Sequence, residues 1–183
     1  MNIIKIDKNN QVNGDGMRCV IWFAGCEHNC PNCHNPETHN PFAGHLYTEQ
    51  DELEIRMQLE KEEISGVTLT GGDPFFSLNQ DNALEICKMV KKDYPNKNIW
   101  CYTGYPFEFI KHTELMKYID ILVDGNYIDS KNPGIGKLRW RGSKNQRVID
   151  VQKSLLYGAV VEHIDINGLT ISENDKDNDN ERV

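Results

Sequence analysis

Apolar, β-branched runs recur along the chain with helix-length segments between them. "CVIWFA" (19–24), "GVTLTG" (66–71), "NIWCYTG" (98–104), "IDILVDG" (119–125) and "QRVIDV" (146–151) read as strands. Most are nearly continuous hydrophobic runs, the pattern of strands covered on both faces. Ala83, Ile86, Cys87, Val90 and Tyr94 fall at steps of three or four and predict a helix over 79–93, with Asn79 as its N-cap. Residues 48–64 carry two signals. Leu53, Ile55, Met57 and Leu59 alternate as in a strand. The segment is nevertheless long, rich in Glu, Gln, Lys and Arg, and opens "TEQD" in the manner of a capping box, so it reads as a helix. Residues 106–117 give a third helix. Strands alternating with helices imply βαβ units and a mostly parallel sheet, whose ligands sit at the carboxyl ends of the strands. Segment 124–145, rich in Gly, Asn, Lys and Arg, is too long for a bare connector and is a candidate functional segment.

Composition narrows the class. The 183 residues, 38% hydrophobic, suit one domain with a buried core. A net charge of −8 argues against nucleic acid as a partner, because phosphate binding needs a basic face. Much of that negative charge lies in "SENDKDNDNERV" (172–183), an acidic tail expected to be disordered. The chain has no apolar run of about 18 residues, and "MNIIKIDKNN" lacks the pattern of a signal peptide. A cytoplasmic protein without membrane contact is expected, and there six cysteines are not expected to form disulfides. Cys19, Cys87 and Cys101 sit in apolar runs and read as core.

The remaining cysteines carry the chemistry. In "AGCEHNCPNCHNPETH" (24–39), Cys26, Cys30 and Cys33 fall within eight residues, in a loop directly after a strand. Thiolates are soft ligands and select zinc or iron–sulfur clusters. A structural zinc needs four ligands, and His28 or His34 would complete a Cys3His set. A cube of four irons held by three cysteines would instead leave one iron open to a substrate. Spacing favours the cluster, since zinc sites usually show two separated pairs. A zinc-stabilised, non-catalytic binding module is the alternative. A second stretch, "TLTGGDPFF" (68–76), ends another strand in a turn, with Gly-Gly giving backbone freedom. Arg18, and Arg139 and Arg141 on either side of Trp140, are either surface charge or groups that shape a cofactor or partner site.

The Cys-x3-Cys-x2-Cys loop after the first predicted strand resembles that of the radical S-adenosylmethionine enzymes. The resemblance implies a 4Fe-4S cluster on Cys26, Cys30 and Cys33, whose open iron chelates the amino and carboxylate groups of S-adenosylmethionine. One electron then breaks a carbon–sulfur bond of the cofactor, giving methionine and a 5′-deoxyadenosyl radical. Asn32 stands where many members carry an aromatic residue. "TLTGGDPFF" resembles the superfamily's Gly-Gly-Glu-Pro motif, with Asp73 where glutamate is commoner. By this likeness Asn32, Cys33, His34, Gly71, Gly72 and Asp73 bind the cofactor, and no catalytic residue is needed beyond cluster and cofactor.

"NGDGMRCVIWFAGC" and "CHNPETH" are similar to the corresponding stretches of glycyl-radical activating enzymes. "TGYPFE", "LVDGNY" and "WRGSKNQRVIDVQKSL" resemble the activating proteins of anaerobic (class III) ribonucleotide reductases. That likeness implies an α/β fold, an incomplete parallel (βα) barrel of the radical S-adenosylmethionine type, in a single domain over 1–171. It implies the reductase large subunit as protein substrate and a flavodoxin-type electron donor. Another glycyl-radical enzyme, such as pyruvate formate-lyase, is the alternative target.

Overall fold

The apolar runs pair into one seven-stranded sheet in a computed structural model that describes residues 1–134, 136–165 and 167–171. The strands are β1 (Asn2–Asn10), β2 (Met17–Phe23), β3 (His45–Leu46), β4 (Ile64–Gly71), β5 (Asn98–Tyr102), β6 (Ile121–Asp124) and β7 (Arg147–Asp150), in the order β3-β1-β2-β4-β5-β6-β7. β2, β4, β5 and β6 pair in parallel, whereas every pairing of β1, β3 or β7 is antiparallel. The helices are α1 (Glu49–Leu59), α2 (Gln80–Asp93), α3 (Phe107–Ile110) and α4 (Val151–Tyr157).

The expected incomplete parallel (βα) barrel is therefore corrected to a mixed sheet with few helices. A barrel needs a helical crossover between successive parallel strands. Among the described residues of the β6–β7 connection there is no α-helix, only a 3-10 turn at Asp129–Lys131, and β7 returns antiparallel. At the other edge, β1 and β3 add antiparallel strands that the periodicity did not reveal. The predicted helix over 106–117 is also broken. Only Phe107, Ile110, Leu115 and Met116 are buried, and the Thr113 hydroxyl donates to the Ile110 carbonyl at 2.8 Å where the helix stops. The expected acidic tail, 172–183, lies outside the described residues.

α1 resolves the ambiguous segment in favour of helix. The Thr48 hydroxyl accepts from the Asp51 N–H, and the Asp51 carboxylate accepts from the Thr48 N–H at 2.8 Å, a reciprocal cap. Ile55 and Leu59, four apart, face the core while Leu53 and Met57 lie on the opposite side and stay exposed, so the alternation joined two rows of one helix.

The sheet separates two environments by its period of two. On one face Cys19, Ile21, Phe23, Val67, Leu69, Ile99, Cys101 and Leu122 pack with Ile55, Leu59 and the α2 stripe Ala83, Ile86, Cys87 and Val90. Cys19, Cys87 and Cys101 are fully buried there, and burial raises each thiol, Cys19 to about 12. The other face carries Trp100, Ile121, Val123 and Val148, packed with Trp140 and Ile171 from the irregular segments that cross it. Trp22, Thr70 and Tyr102 continue that second face to the carboxyl ends of β2, β4 and β5.

Candidate functional site

The loops leaving β2, β4, β5 and β6 share one cavity of about 490 Å³ at the carboxyl ends of the parallel strands. Cys26, Cys30 and Cys33 line it, together with Gly71, Gly72 and Asp73. The cysteine loop is built from tight backbone turns. Gly25 takes φ 101°, and its N–H donates to the Thr38 carbonyl at 2.7 Å, closing the base of the loop. Asn29 (φ 45°) and Asn32 (φ 54°) occupy the left-handed region, which asparagine tolerates better than most residues. The Cys33 N–H donates to the Cys30 carbonyl at 3.1 Å, closing a turn through Asn32, and the Cys33 sulfur accepts from the Asn35 N–H at 3.4 Å.

The glycine pair holds two loops together. Gly72 N–H donates to the Phe23 carbonyl and Asp73 N–H to the Gly25 carbonyl, both at 2.8 Å. A Cβ on Gly72 would lie 2.3 Å from the Gly25 carbonyl oxygen. The need for glycine here comes from the close approach of the two loops. Gly72→Ala should push them apart, lower stability by about 1–3 kcal/mol as overpacking does, and reduce iron uptake. Thermal melting and iron assay would check this, and an unchanged pair of values would refute the contact.

Asp73 lines the cavity, and its carboxylate is buried and engaged by the protein. It accepts from the Thr103 hydroxyl (2.9 and 3.0 Å), the Gly104 N–H (3.0 Å), the Phe75 N–H (2.8 Å) and His28 Nε2 (2.7 Å). An ionised carboxylate only accepts, so His28 carries its proton on Nε2. Asn79 behaves in a related way. Rather than capping α2 through its side chain, its Nδ2 donates to the carbonyls of Asp73 (2.9 Å) and Gly25 (3.3 Å).

His28 is thus committed to Asp73, with its ring edge-on to Tyr105 at 4.5 Å and the Tyr105 hydroxyl donating to Glu27. His34 lines the cavity with its ring 4.6 Å from that of Tyr127. Among the described residues, no three His, Cys, Asp or Glu side chains are gathered so as to hold a single metal ion.

Electrostatics and polar satisfaction both fit a bound cluster and cofactor. Burial pushes the Cys26 thiol up to about 11 and also raises Cys30. Buried thiols keep their protons until a metal's positive charge displaces them. Trp22 and Tyr102 line the cavity, and their buried indole N–H and phenol hydroxyl have no hydrogen-bond partner among the described residues. Buried donors are nearly always satisfied, so this floor suits a polar occupant.

The arginines divide. Arg141 lines the cavity. Arg139 stacks on Trp140 at 4.1 Å and pairs with Asp165 and, at 3.6 Å, with Asp15. Trp140 itself, at φ 59°, packs edge-on against Trp100 at 4.9 Å, which holds this segment over the site. Arg18 does not line the cavity. It is fully buried, donates to Thr68 Oγ1 and the Val67 carbonyl at 2.6 Å and to the Asn98 carbonyl at 3.2 Å, and burial lowers it to about 10. Asn32 is exposed and its Nδ2 donates to Asp129 at 2.8 Å. The spacing of cysteines and glycines gave no sign of Trp22, Tyr102, Thr103, Gly104 or Tyr127; their position at or just past strand ends was the available signal.

Residues 12–149 match the family described as a 4Fe-4S single cluster domain. The chain is 43% identical over 148 residues to a protein of Enterobacteria phage T4, covering 81% of this chain and 93% of that one. It is 40% identical over 140 residues to a protein of Vibrio cholerae, covering 74% and 88%. With one from Escherichia coli K12 it shares 36% over 142 residues, covering 75% and 90%. All three are named anaerobic ribonucleoside-triphosphate reductase-activating protein. Matched over most of its own length and most of theirs, the chain belongs to the family of anaerobic ribonucleoside-triphosphate reductase-activating proteins, with their 4Fe-4S cluster domain.

Proposed function

We propose that this chain generates a glycyl radical on the large subunit of anaerobic ribonucleotide reductase, using a 4Fe-4S cluster together with S-adenosylmethionine. The observation that carries the reading is a single cavity lined by Cys26, Cys30 and Cys33 beside a glycine-bounded loop. It lies in a chain that matches a reductase-activating protein over 81% of its own length and 93% of that protein's. When bound, cluster and cofactor supply hydrogen-atom abstraction from a glycine, driven by one electron and the cleavage of one carbon–sulfur bond.

The chain's own residues hold and shield. The three cysteines would hold the cluster, with fewer thiolates than irons, so that one iron could accept the cofactor. The backbones around Asn32, Cys33 and His34 and at Gly71, Gly72 and Asp73 would border the cofactor, while the Asp73 carboxylate also positions the loops. The buried donors of Trp22 and Tyr102 meet its polar groups. Trp140 and its neighbours cover the sheet face, which keeps water from a reactive centre. No general base is required, because hydrogen-atom transfer moves proton and electron together. The electron comes from a flavodoxin-type donor, and the protein works in the cytoplasm. No helix among the described residues is long and apolar enough to cross a membrane.

Anaerobically purified protein should contain about four irons and four sulfides per chain, as the matched domain implies. Added S-adenosylmethionine should change the electron spin resonance of its dithionite-reduced cluster. Incubation with the reductase large subunit should then give a glycyl doublet. Protein that binds only zinc, or a reduced cluster indifferent to S-adenosylmethionine, would overturn the reading. Pyruvate formate-lyase, as the alternative target, should give no doublet.

A further inference from the structure

The segment between β6 and β7 reverses the charge of the molecule. The whole chain carries −8, yet residues 129–147 hold Lys131, Lys137, Arg139, Arg141, Lys144 and Arg147 against a single acid, Asp129. Several of these cations are neutralised locally. Arg139 pairs with Asp165 and Asp15, and Arg147 with Asp124 and Glu108. Asp129 is itself engaged by neutral donors, Asn32 Nδ2 and the Tyr127 hydroxyl, both at 2.8 Å. Lys131 and Lys144 are exposed, and neither forms an ion pair among the described residues.

These two lysines are neighbours, and they sit beside the cysteine loop. Lys144 N–H donates to the Lys131 carbonyl at 3.0 Å, and Ile128 N–H to Ser143 Oγ at 3.1 Å, so the segment's two limbs lie against each other. The doubled strap is tied to the cysteine loop through Asn32–Asp129, and Asn145 Nδ2 donates at 2.8 Å to the carbonyl of Asn126, whose Oδ1 lies 4.0 Å from the Cys30 sulfur. On the loop's outer side Asn29, Pro31 and Asn32 are exposed, so the cysteines lie close beneath the surface there.

We infer that the face formed by Lys131, Lys144 and the exposed rim of the cysteine loop is the electron-entry surface, docking an acidic one-electron donor protein such as a reduced flavoprotein. Resting on the proposed function, the inference specifies which surface that donor uses. The charge argument is direct. Two acidic proteins repel over most of their surfaces, and among the described residues Lys131 and Lys144 outweigh the single exposed carboxylate of Asp129 on this face, so a net cationic patch beside the redox centre orients the encounter. One electron leaves the reduced flavin and enters the oxidised cluster; the donor is oxidised by one electron, the cluster is reduced by one, and no bond or proton need change hands in the docking step.

The test separates the docked donor from a small reductant that needs no docking. Reduced flavodoxin and, separately, dithionite are mixed with the oxidised holoprotein, and bleaching of the cluster is followed in time. In the unmodified protein the flavodoxin rate should fall steeply between about 0.05 and 0.5 M salt, as screening shortens the reach of the patch. Lys131→Glu/Lys144→Glu should slow reduction by flavodoxin about tenfold or more at low salt. Lys131→Gln/Lys144→Gln should show a smaller loss. Dithionite reduction, cofactor cleavage under dithionite and the melting temperature should stay unchanged in both. A flavodoxin rate indifferent to salt in the unmodified protein overturns the inference, whatever the variants do. So does an unchanged flavodoxin rate in the Glu variant, or a loss confined to glycyl-radical yield, which would assign the lysines to the reductase. If dithionite reduces no cluster in the unmodified protein, it is the reading of the site that fails.

Discussion

Cys30→Ser yields a protein that folds but holds no intact cluster and no longer cleaves S-adenosylmethionine. The fold should survive because Cys30 contributes little to packing. It is only partly buried, and its sulfur packs into no apolar core; it meets polar groups, among them the Tyr127 backbone and, at 4.0 Å, Asn126 Oδ1. The site should not survive, because serine oxygen is a harder ligand that gives up its proton far less readily than a thiol. Two cysteines remain for a cube that needs three anchors. Cleavage should drop well beyond the ~10–100-fold loss that follows removal of a partner hydrogen-bonded to a ligand. Cys87→Ser gives the opposite signature. Cys87 is fully buried against the helical face of the sheet, so the change should lower the melting temperature and leave iron content intact. Iron assay, electron spin resonance and chromatographic detection of 5′-deoxyadenosine distinguish the two. Full iron loading and cleavage in Cys30→Ser would remove Cys30 from the ligand set.

What could be read from the chain was decided by where side chains go. β2, β4, β5 and β6 are buried on both faces, so each appears as an almost unbroken apolar run. α2 shows a clean stripe because one side of it lies on the sheet. β1 escaped notice because it is near an edge, with Lys5, Asn9 and Lys8 exposed among its apolar residues. β3 is two exposed residues held only by main-chain pairing to Asn2 and Ile3. α4 buries just Val151 and Ser154 and leaves no stripe. Edge pairing and helix-free connections have no periodic signature, and they are the features that turn an expected barrel into a mixed sheet.

The site divides along the same line. Three thiols within eight residues announce themselves, because their chemistry is local. Partners that arrive from another strand do not. Asp73 could be located from its glycines, but its donors, Thr103 and Gly104, come from the loop after β5, about thirty residues on. Arg18 could be read as a candidate for a carboxylate ligand. Only the register of β4 beside β2 shows that the Val67 carbonyl and the Thr68 hydroxyl claim its guanidinium.

Asp73→Ala should be the most damaging single change that removes no ligand. The Asp73 carboxylate joins three loops: His28 belongs to the cysteine loop, Phe75 to the loop after β4, and Thr103 and Gly104 to the loop after β5. Alanine would leave four donors facing an apolar gap at a position only 1% exposed. Unsatisfied buried donors cost about 1–3 kcal/mol each before relaxation. Loss of one member of a buried charged network costs about 3–5 kcal/mol in all. For a chain of this size that corresponds to a fall in melting temperature of about 10 °C. Asp73→Asn should cost less but still lower stability, because its amide group must face donors that wanted an acceptor. Asp73→Glu should not be neutral either, since another methylene has to fit a filled pocket, at about 1–3 kcal/mol. Because the same carboxylate fixes the loop that carries Cys26 and Cys30, iron retention should fall in step with stability across the three variants. Melting curves and iron content measured on the same preparations would establish that correlation. An Asp73→Ala protein with normal melting and iron content, yet weakened binding of S-adenosylmethionine, would return Asp73 to a direct contact with the cofactor.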